Sequence, residues 1–314
     1  MYENLNMNDT FATILLDMME KDDRIVVLEA DLGSAHRTLR VRAKYPDRFF
    51  DCGIAEQAMV SVAGGLSAYG FIPVASTFTP FMARRACDQI TISCLYAQQN
   101  VKLFGSDPGI TAETNGGTHM SMEDIGVIRS IPNVVMTEPV DNTMMAKLMP
   151  QIIEYKGTVY TRMQRKIHVD PIFKDTDEID LFKAFKMRDG KDISIFANSI
   201  SVQDAKIAAE ELAKEGIDVD LIEVHTIKPL DKDALIASAK KTGAVVTCEN
   251  SNVVGGFYSA VLEAMNEGDC RVPVTPIGVQ DHFGEVGFVP GLKEKYHMTA
   301  ADIIAAAKAT IAKK

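Results

Sequence analysis

The 314-residue chain is long enough for two domains of ordinary size, each with its own hydrophobic core. A hydrophobic content of 46% and a charged content of 24% are typical of a globular protein in water. The formal net charge of −10 argues against a nucleic acid or an anionic membrane surface as the main partner. It leaves room for a local basic pocket that binds a phosphate or a sulfonate.

The first half of the chain alternates short β-branched runs with segments of helical periodicity. This pattern predicts a mostly parallel sheet covered by helices. The predicted strands are residues 24–30, 72–77, 101–107, 133–139 and 157–163. The predicted helices lie near residues 9–20, 55–69, 80–98 and 141–154.

The stretch that begins at Lys166 interrupts this rhythm with a proline, a glycine and many charged residues, which is typical of a linker. A second alternating series follows it. Its predicted strands and helices are residues 192–198, 201–215, 218–224, 231–240, 243–250, 255–266, 273–279 and 298–314. The sequence therefore predicts an α/β fold with two domains, each a mostly parallel sheet flanked by helices. We place the first domain at residues 1–167, the linker at 168–191 and the second domain at 192–314.

Neither a targeting signal nor a membrane span is predicted. Residues 1–23 have no basic region ahead of an apolar run, and no stretch approaches the roughly 18 apolar residues that cross a bilayer. The five cysteines are odd in number and show no CxxC spacing, which favours reduced, packed thiols. We therefore expect a cytoplasmic protein without membrane or nucleic-acid partners.

Three short stretches of the first half carry candidate site residues. In the first, a turn at Gly53 leads into an apolar helix that begins at Glu56; taken alone, such a carboxylate usually faces solvent and the helix dipole. In the second, a strand ends and a proline opens a helix near Phe78 and Phe81, which alone would be assigned to the core. In the third, His119 follows two glycines in a loop, where it is also compatible with capping the next helix.

Together and in this order, the three stretches resemble the pyrimidine-binding domain of transketolases. The shared patterns are G-I-A-E-Q at residues 53–57, S-T-F-x-x-F at 76–81, R-A-x-D-Q at 85–89 and G-x-T-H at 116–119. Residues 132–141 are similar to the family's P-N-x-x-x-x-x-P-x-D strand. Residues 248–250 and 255–256, Cys-Glu-Asn and Gly-Gly, resemble the family's C-terminal domain, so the resemblance covers nearly the whole chain.

The resemblance implies thiamine diphosphate as the cofactor, which supplies carbanion chemistry for moving a two-carbon ketol unit from a ketose to an aldose. By similarity, Glu56 would be the catalytic carboxyl that shares a proton with the pyrimidine nitrogen N1′. Phe81 would stack on the aminopyrimidine, and Phe78 would line the same pocket. His119 would lie near the reacting carbon and bind substrate hydroxyls. Asp31 matches the family's acidic residue near the cofactor.

The G-D-G motif that holds the diphosphate and metal of this cofactor does not occur in the sequence. Residues 268–270, Gly-Asp-Cys, come nearest, but they lie in the wrong domain, and no metal ligand is predicted in this chain. The resemblance therefore implies an N-terminal-type partner subunit that binds the diphosphate and Mg²⁺ or Ca²⁺. It also implies an α2β2 assembly, with a contact between like subunits and the active sites between unlike ones.

The candidate substrate-binding residues implied by the resemblance are Ser34, Asn115, His119 and Arg162. In transketolases that act on phosphosugars, two cations besides the counterpart of Arg162 bind the substrate phosphate. Asn8 stands at the first of those positions, and Asp107 or its neighbour Ser106 at the second. Because an acidic residue repels a phosphate at close range, we expect a non-standard sugar. A sulfonated ketose, or a branched or otherwise modified sugar phosphate, fits this pattern.

Three alternatives remain open. The β subunit of a 2-oxo acid dehydrogenase shares the fold and the glutamate, although it usually lacks this Gly-Thr-His loop. A 1-deoxyxylulose-5-phosphate synthase uses the same cofactor, but it is a single long chain. A non-catalytic regulatory paralogue would keep the fold, yet such a protein needs neither Glu56, Phe81 nor His119.

Overall fold

Two β-sheets organise the chain, which a computed structural model describes over residues 5–167 and 169–314. In chain order, the strands are β1 (Ile25–Glu29), β2 (Phe49–Asp51), β3 (Ile72–Phe78), β4 (Lys102–Ser106), β5 (Val135–Thr137), β6 (Val159–Met163), β7 (Phe185–Arg188), β8 (Ile193–Ala197), β9 (Val219–Glu223), β10 (Thr226–Lys228), β11 (Val245–Asn252) and β12 (Val274–Val279). The first sheet has the order β10-β5-β6-β4-β3-β1-β2, and the second has the order β12-β11-β8-β9-β7.

Both sheets are mostly parallel. The antiparallel pairs are β10 with β5 in the first sheet and β7 with β9 in the second. The central strands β1, β3, β4 and β6 are buried along their whole length, because helices cover both faces of a parallel sheet. The predicted fold class, two α/β domains with mostly parallel sheets flanked by helices, is confirmed.

The helices lie between the strands, as the sequence periodicity predicts. They are α1 (Met7–Met19), α2 (Leu39–Lys44), α3 (Glu56–Ala68), α4 (Cys87–Gln89), α5 (Asp124–Arg129), α6 (Asn142–Glu154), α7 (Ser201–Lys214), α8 (Lys232–Thr242), α9 (Phe257–Glu267), α10 (Val289–Lys295) and α11 (Ala300–Ile311). The predicted helix 80–98 is irregular: π-helical turns at Phe81–Arg85 and Ile90–Tyr96 flank the short α4. Such π-helical turns are frequent at functional sites.

Each face of the first sheet is covered by its own helices. On one face, Phe11 of α1 and Leu148 of α6 belong to the same core as Phe104 of β4. On the other face, Met59 of α3 belongs to the same core as Leu103 of β4. Because successive strand residues point to opposite faces, β4 holds both helix layers in place. This packing fixes the position of α3 and of Glu56 at its start.

Two strands depart from the predicted domain boundaries. β7 lies inside the predicted linker 168–191 and forms the edge of the second sheet beside β9. β10 lies inside the predicted second domain, but it adds an antiparallel edge to the first sheet beside β5. Phe185 of β7 also packs edge-on against Phe173, with ring centroids 5.1 Å apart. The sequence did not indicate these pairings, because a strand of three or four residues owes its stability to distant neighbours rather than to local propensity.

A fully buried guanidinium connects elements of both halves of the chain. Arg162 of β6 donates through Nε to Oδ2 of Asp124 at 2.9 Å and through Nη1 to Glu138. Its Nη2 donates to the backbone oxygen of Asn250 in β11 at 2.9 Å. Burial raises the pKa of Asp124 and of Glu138, and the guanidinium opposes this shift. Because every charge here is buried, the group is stable only when all members are present.

Replacing Arg162 with Met should lower the free energy of unfolding by about 3–5 kcal/mol, because two buried carboxyls lose their counter-charge. Urea-induced unfolding measures this loss. Arg188→Met is the matched control: Arg188 and Asp218 form a half-exposed pair at 3.4 Å, and we expect it to contribute about 1 kcal/mol or less. Equal losses in the two variants would contradict the role assigned to the buried pair.

Candidate active site

The carboxyl ends of β1, β3 and β4 meet at one edge of the first sheet. Glu29, the last residue of β1, is in register with Ser76 of β3, and Phe78 of β3 is in register with Ser106 of β4. Ligands of open α/β sheets bind in the crevice outside this edge. The segments that follow these strands carry most of the residues predicted from the sequence.

Glu56 is the first residue of α3, and it is only 1% exposed. Its Oε2 accepts a hydrogen bond from Nη1 of Arg85 at 2.6 Å, and its Oε1 accepts one from the hydroxyl of Thr77 at 3.3 Å. Gly53, with a φ of 69°, turns the chain into the helix. The helix N-terminus favours a negative charge at this position. The carboxyl group is therefore held in a fixed place at the sheet edge.

Phe78, Phe81 and His119 form an aromatic cluster beside this carboxyl group. The ring centroid of Phe78 lies 5.9 Å from those of Phe81 and His119, which are 5.2 Å from each other. The hydroxyl of Thr118 lies 2.9 Å from Nδ1 of His119 and so orients the imidazole. Phe78 is buried, whereas Phe81 and His119 are partly exposed. The structure thus gathers residues from three separate sequence motifs.

Glu56 and Phe81 present a hydrogen-bonding group and an aromatic face to the same planar side chain. The guanidinium of Arg85 stacks over Phe81, with its Cζ 4.2 Å from the ring centroid, while it donates to Glu56. A planar group therefore already makes both contacts expected of an aminopyrimidine. Arg85 is partly exposed, with 41% of its side chain accessible to solvent, and so has room to move aside. These residues fit the pyrimidine of thiamine diphosphate.

The second domain supports the loop that carries His119. The side chain of Asn250 accepts from the backbone nitrogen of Ile110 at 3.0 Å and donates to the backbone oxygen of Pro108 at 2.9 Å. Gly117 lies so close to the backbone of Gly284 that a Cβ at residue 117 would overlap the carbonyl oxygen. Sequence motifs alone did not identify this support, because its partners lie more than a hundred residues apart.

His36 is a second residue that the motifs missed. Its Nδ1 lies 2.9 Å from Oε2 of Glu29 and its Nε2 lies 2.9 Å from the hydroxyl of Ser106. Its ring meets that of Phe78 edge-on at 6.2 Å. His36, Glu29 and Ser106 are all fully buried. A polar residue in the segment that follows a strand of the parallel sheet is the sequence signal that could have found it.

A group of charged side chains, here called the charged corner, adjoins the aromatic cluster at Phe78. It consists of Asp107, Arg165 and Lys166. The Cζ of Arg165 lies 5.1 Å from the Phe78 ring centroid, and Arg165 donates to Oδ2 of Asp107 at 2.5 and 3.1 Å. Lys166 donates to Oδ1 of Asn115 at 2.7 Å. Burial raises the pKa of Asp107, while the Arg165 guanidinium pulls it down. The predicted residue Asn115 therefore binds a cation, Lys166, that the sequence motifs did not identify.

Arg162, which the sequence predicts to bind the substrate anion, is not part of this corner. It is fully buried and already paired with Asp124 and Glu138. Arg162 lies within β6, whereas Arg165 follows the carboxyl end of that strand. Ligands of parallel sheets bind at the carboxyl ends of the strands, where Arg165 lies.

Asp31 and Ser34 follow β1 at the same sheet edge, and both are exposed. Asp31 adopts a φ of 60°, and its backbone nitrogen donates to the carboxylate of Asp51 at 3.0 Å. No hydrogen bond or ring contact joins Asp31 or Ser34 to the aromatic cluster in the described parts of the chain. Asn8 is buried and donates to the backbone oxygen of Ala35 at 2.8 Å.

Over residues 5–167 and 169–314, no three His, Cys, Asp or Glu side chains are arranged to hold a metal ion. Across the same residues, no helix combines the length and the apolar character needed to cross a membrane. The five cysteines are free.

Replacing Gly117 with Ala should destabilise the His119 loop, because the new methyl group would overlap the carbonyl of Gly284. We expect a loss of about 1–3 kcal/mol in the free energy of unfolding, measured by urea titration. Gly65→Ala is the control, since nothing lies within 4 Å of a Cβ built on this glycine of α3. That change should stabilise the helix by about 0.5–1 kcal/mol. A neutral Gly117→Ala variant would show that the loop does not depend on this contact.

Family models and relatives cover the chain almost from end to end. Residues 3–168 match the model described as "Transketolase, pyrimidine binding domain", and residues 183–303 match "Transketolase, C-terminal domain". A "6-deoxy-6-sulfo-D-fructose transketolase subunit SqwH" from Clostridium sp. (strain MSTE9) is 49% identical over 96% of this chain and 93% of its own length. A "1-deoxy-D-xylulose-5-phosphate synthase" from Syntrophotalea carbinolica is 35% identical over 95% of this chain, which spans only 47% of that relative.

A solved structure entitled "Split gene transketolase, inactive beta4 tetramer" superimposes with a TM-score of 0.90 at 35% sequence identity, covering 99% of each chain. The resemblance predicted from the sequence is thereby confirmed. Since both domain models match in the expected order and a split-gene relative matches along its full length, this chain belongs to the transketolase family, as the type of subunit that carries the pyrimidine-binding and C-terminal domains.

Proposed function

We propose that this chain is one subunit of a two-chain, thiamine-diphosphate-dependent transketolase that moves a two-carbon ketol unit from a sulfonated ketose to an aldose. The observation that carries this proposal is the buried Glu56 carboxyl, which faces the Phe81 ring across a cleft already occupied by a planar group. When bound, thiamine diphosphate supplies the carbanion chemistry of the transfer.

The residues of the cleft have separate tasks in this proposal. Glu56 holds a proton against the pyrimidine nitrogen N1′, and its fixed position at the start of α3 keeps that hydrogen bond aligned. Phe81 stacks on the ring, and Phe78 closes the pocket behind it. His119, oriented by Thr118, binds hydroxyl groups next to the carbon that reacts. Asp31, on the neighbouring loop, remains a prediction for a cofactor-binding group, and so does Ser34 for a substrate-binding one.

A partner subunit would complete the site by binding the diphosphate and its Mg²⁺ or Ca²⁺. The surface beside Glu56 supports this idea, because Ile54 is 74% exposed and Val62, on α3, is 45% exposed. Exposed apolar patches are typical of surfaces that another chain covers, and these two residues lie on either side of Glu56 in the sequence. We infer an N-terminal-type partner, an α2β2 assembly with a contact between like subunits, and a cytoplasmic location.

Two observations support a sulfonated donor sugar: the charged corner, and the relative named for 6-deoxy-6-sulfofructose. Arg165 and Lys166 would provide positive charge for an anionic tail, and the Asn115 amide lies beside Lys166. The aromatic cluster would hold the reacting end of the ketose, so its tail would extend past Phe78 towards Arg165. A sulfonate at the far end of the ketose fits this arrangement.

Glu56→Gln should lower turnover about 100-fold or more, because an amide cannot exchange the proton that the pyrimidine nitrogen requires. The assay uses the chain reconstituted with its partner, with 6-deoxy-6-sulfofructose as donor and an aldose phosphate as acceptor. Assembly, measured by size-exclusion chromatography, should be unchanged. Glu20→Gln, on an exposed side chain, is the control and should keep full activity. Normal turnover by the Glu56 variant would rule out this mechanism.

The same preparation separates the proposed reaction from its alternatives. Xylulose 5-phosphate with ribose 5-phosphate should be a poor pair, and efficient turnover of that pair would overturn the sulfonated donor. Pyruvate should not be decarboxylated, as it would be by a 2-oxo acid dehydrogenase or by a 1-deoxyxylulose-5-phosphate synthase. Each subunit alone should be inactive.

A further inference from the structure

The Asp107–Arg165 pair is an unusual feature of a corner that binds an anion. Asp107 is fully buried, and Arg165 donates hydrogen bonds to only one of its carboxylate oxygens, Oδ2. The other oxygen, Oδ1, is buried without a hydrogen-bond partner among the described residues. Leaving a buried carboxylate oxygen unpaired is unfavourable. The arrangement therefore points to a donor group that arrives with the substrate.

The positive charges of this corner are only partly compensated. Arg165 and Lys166 are positive and Asp107 is negative, so the three side chains leave one net positive charge. Arg165 lies against the Phe78 ring at 5.1 Å, and Phe78 contacts His119 at 5.9 Å. The charged corner is thus separated from His119 by a single aromatic ring. A ketose whose first carbons lie at His119 would place its tail at this corner.

We propose that Asp107 is a specificity-determining residue that halves the positive charge of this corner and thereby selects a ketose with a monoanionic tail over one with a dianionic tail. This inference rests on the proposed function, because it assigns the tail-binding end of that same site.

The chemistry of the two tails explains the selection. An alkyl sulfonate carries a single negative charge at any physiological pH, whereas a phosphate monoester carries about −1.5 to −2 at pH 7. One net positive charge matches the sulfonate. The same corner leaves a phosphate with uncompensated charge close to the Asp107 carboxylate, and like charges at close range repel.

The unpaired Oδ1 adds a second preference. A sugar hydroxyl can donate a hydrogen bond to this carboxylate oxygen, whereas the oxygens of a doubly ionised phosphate can only accept. Asp107 therefore favours a hydroxyl on the carbon chain and disfavours a dianion at the same position. Both preferences act on binding of the tail, not on the reacting carbon.

The test compares wild type with Asp107→Asn in the reconstituted two-chain enzyme. Asn suits this position, because residue 107 has a φ of 57° and Asn tolerates left-handed backbone better than most residues. The readout is the ratio of kcat/KM for fructose 6-phosphate to kcat/KM for 6-deoxy-6-sulfofructose. We expect this ratio to rise about tenfold, mainly through KM. Competitive inhibition by methyl phosphate should strengthen relative to inhibition by methanesulfonate.

Asp22→Asn is the matched control. It also removes a carboxylate from an Arg pair, Asp22 with Arg24 at 2.7 Å, but on the exposed surface. The ratio should not change in this variant. Arg165→Gln is the opposite change: it leaves Asp107 without its partner, and the ratio should fall below the wild-type value. This variant also keeps the test decisive if Asp107→Asn fails to assemble.

A purely structural role predicts a different result. The backbone nitrogen of residue 107 donates to the oxygen of Met163 at 2.9 Å, so Asp107 also helps to shape this loop. If that were its only role, both substrates would lose activity equally and the ratio would stay constant, which would overturn the proposal. The proposed function is judged separately, on the wild-type enzyme: its failure would appear as absent turnover of the sulfonated ketose before any variant is made.

Discussion

The buried guanidinium of Arg162 is the interaction on which the geometry of the site depends. It donates hydrogen bonds to Asp124 of α5, to Glu138 just after β5, and to the backbone oxygen of Asn250 in β11. The side chain of Asn250 then holds the backbone of Pro108 and Ile110, at the start of the segment that leads to His119. An ion network without solvent contact thus sets the position of a partly exposed loop. This explains how the second domain contributes to the site without supplying any of its predicted residues.

Arg162 and Arg165 show how position relative to a strand end determines the role of a charged residue. Within β6, a guanidinium is surrounded by helices on both faces and must be neutralised by buried carboxylates. Three residues further on, beyond the end of the strand, Arg165 reaches the crevice and keeps part of its surface accessible. The sequence motif predicted Arg162 as the residue that binds the substrate anion. The rule that ligands bind at the carboxyl ends of parallel strands would have favoured Arg165.

The residues that the local motifs singled out lie close together in the structure. Glu56, Phe78, Phe81 and His119 each lie at the junction of a strand or turn with the following segment, where a few adjacent residues determine the local geometry. His36, Asn250 and β10 could not be found in this way, because each depends on partners far away in sequence. The predicted fold class depended only on alternating periodicity, which survives errors at individual strand ends.

Arg85 occupies the place between Glu56 and Phe81 that the proposed function assigns to the cofactor ring. Burying Glu56 without a counter-charge would be unfavourable, and Arg85 supplies that charge while stacking on Phe81. The guanidinium remains 41% exposed, whereas the carboxyl that it pairs with is only 1% exposed. In the proposed function, a pyrimidine ring would take over both contacts, and a Glu56 carboxyl that shares a proton with N1′ no longer needs a counter-charge. In this chain, Arg85 therefore makes the two contacts, one to the Glu56 carboxyl and one to the Phe81 ring, that the proposed function assigns to the cofactor ring.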